Sequence, residues 1–244
     1  MKICNRQEGF HQREGAMFEI SPQFISMWEV SNEPWGVKDK TSHYVYANKA
    51  YLDLLCLPLK FNIENLLDDS IPHPCAEFAP LFRQQDRRAE NTQQRVASLD
   101  THPFGREKIM QPYIFEKFPF YNNKGEGIGS MFHARKCETF PAIFCLDGKP
   151  APRSLTFNPP NDRFSSIELE VIFLALHRLS AKKMGKILAC SDRTVKNRLS
   201  RIYQNIGVKF LSQLIDFCTE EGFDTYIPPR FLQPSHRLIN NNGL

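Results

Sequence analysis

No apolar run in this chain of 244 residues reaches the roughly 18–20 that a membrane-spanning helix requires. The opening MKICNRQEGFHQREGA lacks the apolar stretch of a secretory signal. There is no C-x-x-C pair among the seven cysteines, which are scattered at 4, 56, 75, 137, 145, 190 and 218. A disulfide framework or a zinc ribbon needs closely spaced pairs, so neither is expected, and the cysteines read mostly as small buried apolar residues. Also missing are a Walker phosphate loop, a nucleophile–base–orienter set and the pattern of a phosphorylated receiver domain. Gly125, Gly127 and Gly129 join strands and open no helix, so they are a hairpin turn and no dinucleotide fingerprint. No internal repeat or low-complexity run is present. These absences predict a soluble, cytoplasmic protein that is not an enzyme and carries no metal site.

The composition is that of an ordinary globular chain: 41% hydrophobic, 24% charged and 12% aromatic. Its length suits two modest domains or one large one. A net charge of +4 names no partner, but its distribution is uneven. Between Arg178 and Lys209 stand nine basic residues and one acid, Asp192, a local charge of +8 that leaves −4 for the other 212 residues. Such localisation is an electrostatic footprint for a polyanion, or else a solvated helix face. Charge alone does not separate the two.

Five prolines fall between Pro141 and Arg163. Proline removes a backbone donor and restricts its predecessor, so this stretch is expected to be an extended linker. It divides the chain into an N-terminal domain over 18–140, a linker over 141–163, a helical domain over 164–223 and an extended or fraying tail over 224–244.

In the helical domain, Ser165-Ser166-Ile167-Glu168 is a capping box ahead of an apolar run. A second helix starts after Ser180, with Met184, Ile187 and Leu188 on one face, and a third after Ser191, stopping at Gly207. A fourth begins near Phe210 and ends at Gly222. Along the third, Val195, Leu199, Ile202 and Ile206 recur as a single buried stripe. Arg193, Lys196, Asn197, Ser200, Arg201 and Gln204 fall on the opposite face. Arginine and lysine pair with guanine edges or phosphates, and asparagine reads adenine in a bidentate manner. A short helix of that chemistry, preceded by another short helix and a tight turn, is helix-turn-helix design.

The segment FSSIELEVIFLALHRLSAKKMGKILACSDRTVKNRLSRIYQNIGVKFLSQLIDF resembles the LuxR-type (GerE-like) helix-turn-helix family. The resemblance rests on Glu168, Glu170, Val171, Ser180, Lys182, Ser191, Arg193, Thr194, Val195, Lys196, Ile202, Tyr203, Gly207 and Val208. It implies a four-helix DNA-binding domain whose third helix enters the major groove and whose fourth supports dimerisation. Four positions depart from the family pattern: Arg178 replaces a glycine, Lys183 an acid, Arg198 a histidine and Arg201 an asparagine. These changes add backbone affinity and leave base preference open. Lys196 and Asn197 are expected at base edges, Arg193, Arg198 and Arg201 at bases or phosphates, and Lys182, Lys183, Ser191 and Thr194 near the backbone, with Ser200 also in the DNA-binding set.

In the N-terminal domain, Val37–Asp39 and His43–Asn48 read as strand, turn and strand, followed by a helix with Ala50, Leu54 and Leu57 inward. A strand over Gln111–Phe118, a turn at Asn122–Gly125 and a strand over Gly127–Arg135 come later. WGVKDKTSHYVYANKAYLDLLCLP and YIFEKFPFYNNKGEGIGSMFHARK resemble the opening and the closing hairpin of a PAS domain. That resemblance implies a five-stranded antiparallel sheet with flanking helices, used for small-molecule sensing or for pairing protomers. The cofactor is left open. Pro74-Cys75-Ala76-Glu77-Phe78 does not match the flavin-binding G-x-N-C-R-F-L-Q motif, and a lone His73-x-Cys75 is structural more often than metal-binding. His73, His102 and His133 are the histidines available to a haem, with no supporting spacing.

Together these features predict an α+β PAS-like domain followed by an all-α helix-turn-helix domain: a bacterial-type, homodimeric transcription regulator acting on double-stranded DNA. A small ligand in the PAS-like domain and RNA polymerase, if the protein activates, are the further partners expected. The competing readings are a constitutive dimer controlled by abundance and, more remotely, an enzyme localised by its helical domain.

Overall fold

The computed structural model describes residues 19–58, 60–139 and 153–239. Helix α1 (Pro22–Val30) precedes the hairpin of β1 (Trp35–Asp39) and β2 (Tyr44–Ala47), and α2 (Lys49–Leu54) follows. Two short 3-10 turns lead into α3 (Ala79–Thr92), and then come three long strands, β3 (Val96–Phe104), β4 (Ile109–Tyr121) and β5 (Gly127–Lys136). The short strands β6 (Glu138–Thr139) and β7 (Arg153–Ser154) pair with each other, and residues 140–152 between them lie outside the described residues. The helical region holds α4 (Ser166–Leu176), α5 (Ala181–Leu188), α6 (Asp192–Ile206) and α7 (Leu211–Glu221), and β8 (Ser235–Ile239) closes the described chain.

The main sheet is antiparallel, in the order β2-β1-β5-β4-β3-β8. Five strands were expected, and the sixth is the tail. Residues 235–239 do not fray but pair with β3, Thr101 opposite Ser235 through Ala97 opposite Ile239. Strand side chains alternate between faces, and each face has its own core. On one face Tyr44, Tyr51, Phe104, Phe115 and Phe132 pack with Leu52, Leu55, Ile63 and Ile71. On the other, Val37, Phe120 and Ile128 pack against Trp28 of α1. Gly129 permits β5 to approach β1, because a Cβ there would lie 2.0 Å from the Lys38 carbonyl oxygen. Asn48, fully buried, ties the opening together. Its amide oxygen accepts from the Trp35 and Tyr51 N–H groups, and its NH2 donates to the Trp28 and Glu33 carbonyls.

The helical region has a separate core built on Leu169, Ile172, Leu174, Met184, Leu188, Val195, Ile202 and Leu214, closed by Phe223 and Tyr226. In the capping box, the Ser165 N–H and hydroxyl both donate to the Glu168 carboxylate, at 3.0 and 2.7 Å. Arg178, where the family has glycine, adopts φ +56°, so the turn keeps its left-handed residue despite the added Cβ. Met184 and Leu188 are buried as expected. Ile187 is exposed, because a helix this short presents only a narrow face to its neighbours.

Candidate buried cavity and nucleic-acid interface

Strand alternation brings four charges into the apolar interior between the sheet and α3. Lys38 of β1 and Lys117 of β4 point the same way, and Asp68 and Asp86 meet them from the 3-10 turn and α3; all four are buried. The Lys38 ammonium donates to Asp68 at 2.5 Å and lies 3.9 Å from Asp86, while Lys117 donates to Asp86 and to the Phe82 carbonyl. The hydroxyls of Ser42, Ser130 and Tyr44 complete the set, the first two donating to Asp86 and the third to Asp68. Tyr44 and Tyr51 share a hydroxyl contact of 2.6 Å. Two positive and two negative charges cancel, which is how charges survive in a low-dielectric interior. Burial opposes ionisation of Asp86, yet Lys117 and Lys38 outweigh it and hold its pKa below the ordinary value; Asp68 and Asp86 likewise outweigh burial to raise that of Lys38. Burial, then Asp68, pushes the neighbouring Cys75 thiol up to about 12, which makes it a poor nucleophile.

This network lines one side of a cavity of about 30 Å³, walled also by Tyr51, Leu55, Phe82, Phe104, Phe115 and Phe132. Asp100 and His102 of β3 complete it. His102 is fully buried, and neither its ring nitrogens nor Asp68 Oδ2 has a hydrogen-bond partner among the described residues. Burial, with His73 and His236 adding to it, lowers the His102 pKa to about 4, so the ring is neutral, with one donor and one acceptor unspent. Of the other histidines, His73 accepts from the Cys75 N–H and caps a turn, and His133 contacts Glu33 at 2.6 Å and stacks on Trp35. The cavity is far smaller than a haem.

The helix-turn-helix geometry follows from small local devices. Ser180 and Ser191 cap α5 and α6 by accepting from the Lys183 and Thr194 N–H groups. Gly185 lets the turn close on α5, since a Cβ there would lie 2.7 Å from the Cys190 carbonyl oxygen. Ala189 takes φ +53° and Gly207 +74°. Within the stripe of α6, Val195 and Ile202 are fully buried and Leu199 and Ile206 half-buried. Arg193, Lys196, Asn197, Ser200, Arg201 and Gln204 are all exposed on the opposite side, with Lys182 and Lys183 exposed on α5. Arg198 is half-buried at the flank. The Ser191 hydroxyl is engaged in its cap and in a 2.8 Å contact with Thr194, and Lys196 lies 3.8 Å from Asp192. Sequence reasoning placed this surface but missed the charge network and cavity, whose one legible trace was Lys38 and Lys117 standing at inward positions of otherwise apolar strands.

Residues 28–138 match the family model described as a PAS fold. Over these residues the N-terminal unit has a PAS fold. Beyond that unit, the likeness to solved structures runs nearly the full chain. VqmA of Vibrio cholera, solved as a complex with ligand and DNA, is 26% identical, with 91% of this chain and 97% of that one covered and a TM-score of 0.73. A phage VqmA, solved with DPO, is 25% identical over 89% and 95%, with a TM-score of 0.64. No curated protein matches the chain. The PAS domain here differs from a free-standing five-stranded one by the strand it borrows from the C-terminus.

Proposed function

We propose that this protein is a sequence-specific DNA-binding transcription regulator whose PAS domain senses a small ligand. The observation that carries the sensing half is the cavity lined by buried His102 and Asp68, whose ring nitrogens and Oδ2 are unspent hydrogen-bonding atoms. An unpaired buried polar group costs about 1–3 kcal/mol, and a ligand that pairs with it recovers that cost. The volume of about 30 Å³ admits little more than water, so a ligand binds only as the aromatic walls move outward. The DNA half is supported by the exposed cationic face of α6 and by the chain-long likeness to VqmA, which has been solved with ligand and DNA.

In this reading Lys196 and Asn197 read base edges, and Arg193, Arg198 and Arg201 divide between bases and phosphates. Lys182, Lys183, Ser191, Thr194 and Ser200 follow the backbone. The protein acts as a cytoplasmic homodimer of bacterial type, because one such module covers only a half-site, and as an activator it would engage RNA polymerase. Its working division is a PAS domain over 18–140, a linker over 141–163 and the DNA-binding domain over 164–223. No helix among the described residues is long and apolar enough to cross a membrane.

The small cavity favours a second reading, a constitutive dimer whose PAS domain binds nothing. Native mass spectrometry of freshly purified protein separates the two: a dimer carrying a bound small mass supports sensing, and a dimer of bare chain mass supports the second reading.

A further inference from the structure

The segment that closes the described chain is held at both ends. At its start Arg230 donates to Glu170 of α4 at 3.2 Å, and Phe231 stacks on Phe173 with centroids 4.9 Å apart. Phe231 packs against the helical core, and Leu232 directly after it is buried. Only Gln233 and Pro234 separate it from β8, which pairs with β3 of the PAS domain over five residues. There the His236 ring meets the Asp100 carboxylate at 2.6 Å, both side chains 4% exposed. The same ring lies edge-on to Phe82, centroids 5.4 Å apart. Asp100 and Phe82 are walls of the cavity, as is His102, whose ring lies edge-on to Phe82. One imidazole thus touches two cavity walls from outside and hangs on a two-residue link to the DNA-binding core.

That link sets a limit. From Leu232 to Ser235 the chain can span at most roughly 10 Å fully extended, so the helical domain cannot move far from β3 unless β8 unzips. We propose that β8 is a releasable strap which ties the position of the DNA-binding domain to the state of the cavity. While Asp100 and Phe82 keep their places, His236 is held and the strap stays docked. An occupant that displaces either wall removes the partner of His236 and frees the helical domain. The inference rests on the sensing and DNA-binding reading for its biological use, but the device is testable without either.

The experiment compares the full chain with His236→Ala, Asp100→Ala, the double variant and a chain ending at Leu232, by hydrogen exchange and small-angle X-ray scattering. Each single variant should exchange the β3 amides facing β8 roughly tenfold faster. The double variant should exchange no faster than either single one, because both remove one interaction. The shortened chain should scatter with longer and broader inter-domain distances. Phe82→Trp, which crowds the cavity from its wall in place of an occupant, should speed the same β3 amides. Unchanged β3 exchange in both single variants overturns the strap, and so does a shortened chain that keeps the parent's scattering profile. Unchanged exchange in Phe82→Trp overturns its link to the cavity. If Asp100→Ala fails to fold, His236→Ala and the shortened chain decide, since both alter only the sheet edge. None of these readouts needs DNA or ligand. A failed strap therefore leaves the regulator reading standing, and intact strap behaviour with no DNA binding would do the reverse.

Discussion

His102 and Asp86 differ in how they respond to acid, and each makes a measurable claim. The His102 pKa falls from 6.5 to about 4 on folding, so between those values the unfolded chain binds the proton more readily. Its neutral burial therefore stabilises the fold fully above pH 6.5, and up to about 3 kcal/mol is lost as pH falls through that window. Urea unfolding of His102→Phe from neutral to acid pH should lack that part of the slope, and parallel slopes would refute the assignment. Asp86, depressed by Lys117 and Lys38, keeps its contribution through this range and loses it only below the usual carboxylate pKa. Asp86→Asn leaves the buried Lys117 ammonium without its carboxylate and should cost about 3–5 kcal/mol, read as a lower denaturation midpoint at neutral pH. On the exposed cationic face of α6, Lys196→Ala and Asn197→Ala lie off the buried stripe and should change stability by no more than about 0.5 kcal/mol. Each should lose about 1–3 kcal/mol of base discrimination; gel shifts as tight and selective as the parent's would move base reading elsewhere.

Elements show most clearly what sequence alone can yield. The four helices of the C-terminal region were legible because their signals are local: serine caps, a glycine stop and an apolar stripe of helical period. The β1–β2 hairpin and the β4–β5 pair were legible for the same reason, with alternation on either side of a polar turn. Ser235–Ile239 carried no comparable signal. Five residues between a proline and an asparagine run form a strand only because β3 offers an edge, and that edge is over a hundred residues away in sequence. The ion network was hidden similarly, since no single lysine or aspartate announces that three others will cancel its charge. Val195→Asp buries an unpaired charge between α4 and α6 and costs several kcal/mol, near the whole stability of a small domain. Hydrogen exchange of the full chain should then show loss of protection throughout α4–α7, and retained protection would contradict the helix faces. Gly185→Ala forces the α5–α6 turn open and should cost about 1–3 kcal/mol, with weaker DNA binding in the same preparation.

For the whole molecule, the apolar surface that suits a partner copy lies in the N-terminal half. Phe24, Met27 and Val30 of α1 are 46, 51 and 82% exposed, beside Trp28, which is buried on the sheet. A stable interface needs about 1,200–2,000 Å² in total, more than α7 alone can supply with Leu214 already in its own core. Full-length Met27→Asp should sediment lighter than the parent at micromolar concentration, whereas unchanged sedimentation would shift dimerisation toward α7. The borrowed strand adds a constraint in time. During synthesis β3 emerges long before β8, from which it is separated by the entire helical domain, so the nascent sheet waits with an unpaired edge. Open edges template wrong partners, and long-range strand pairing is slow. Synthesis of the helical domain, rather than completion of the first domain, therefore comes before this sheet can close.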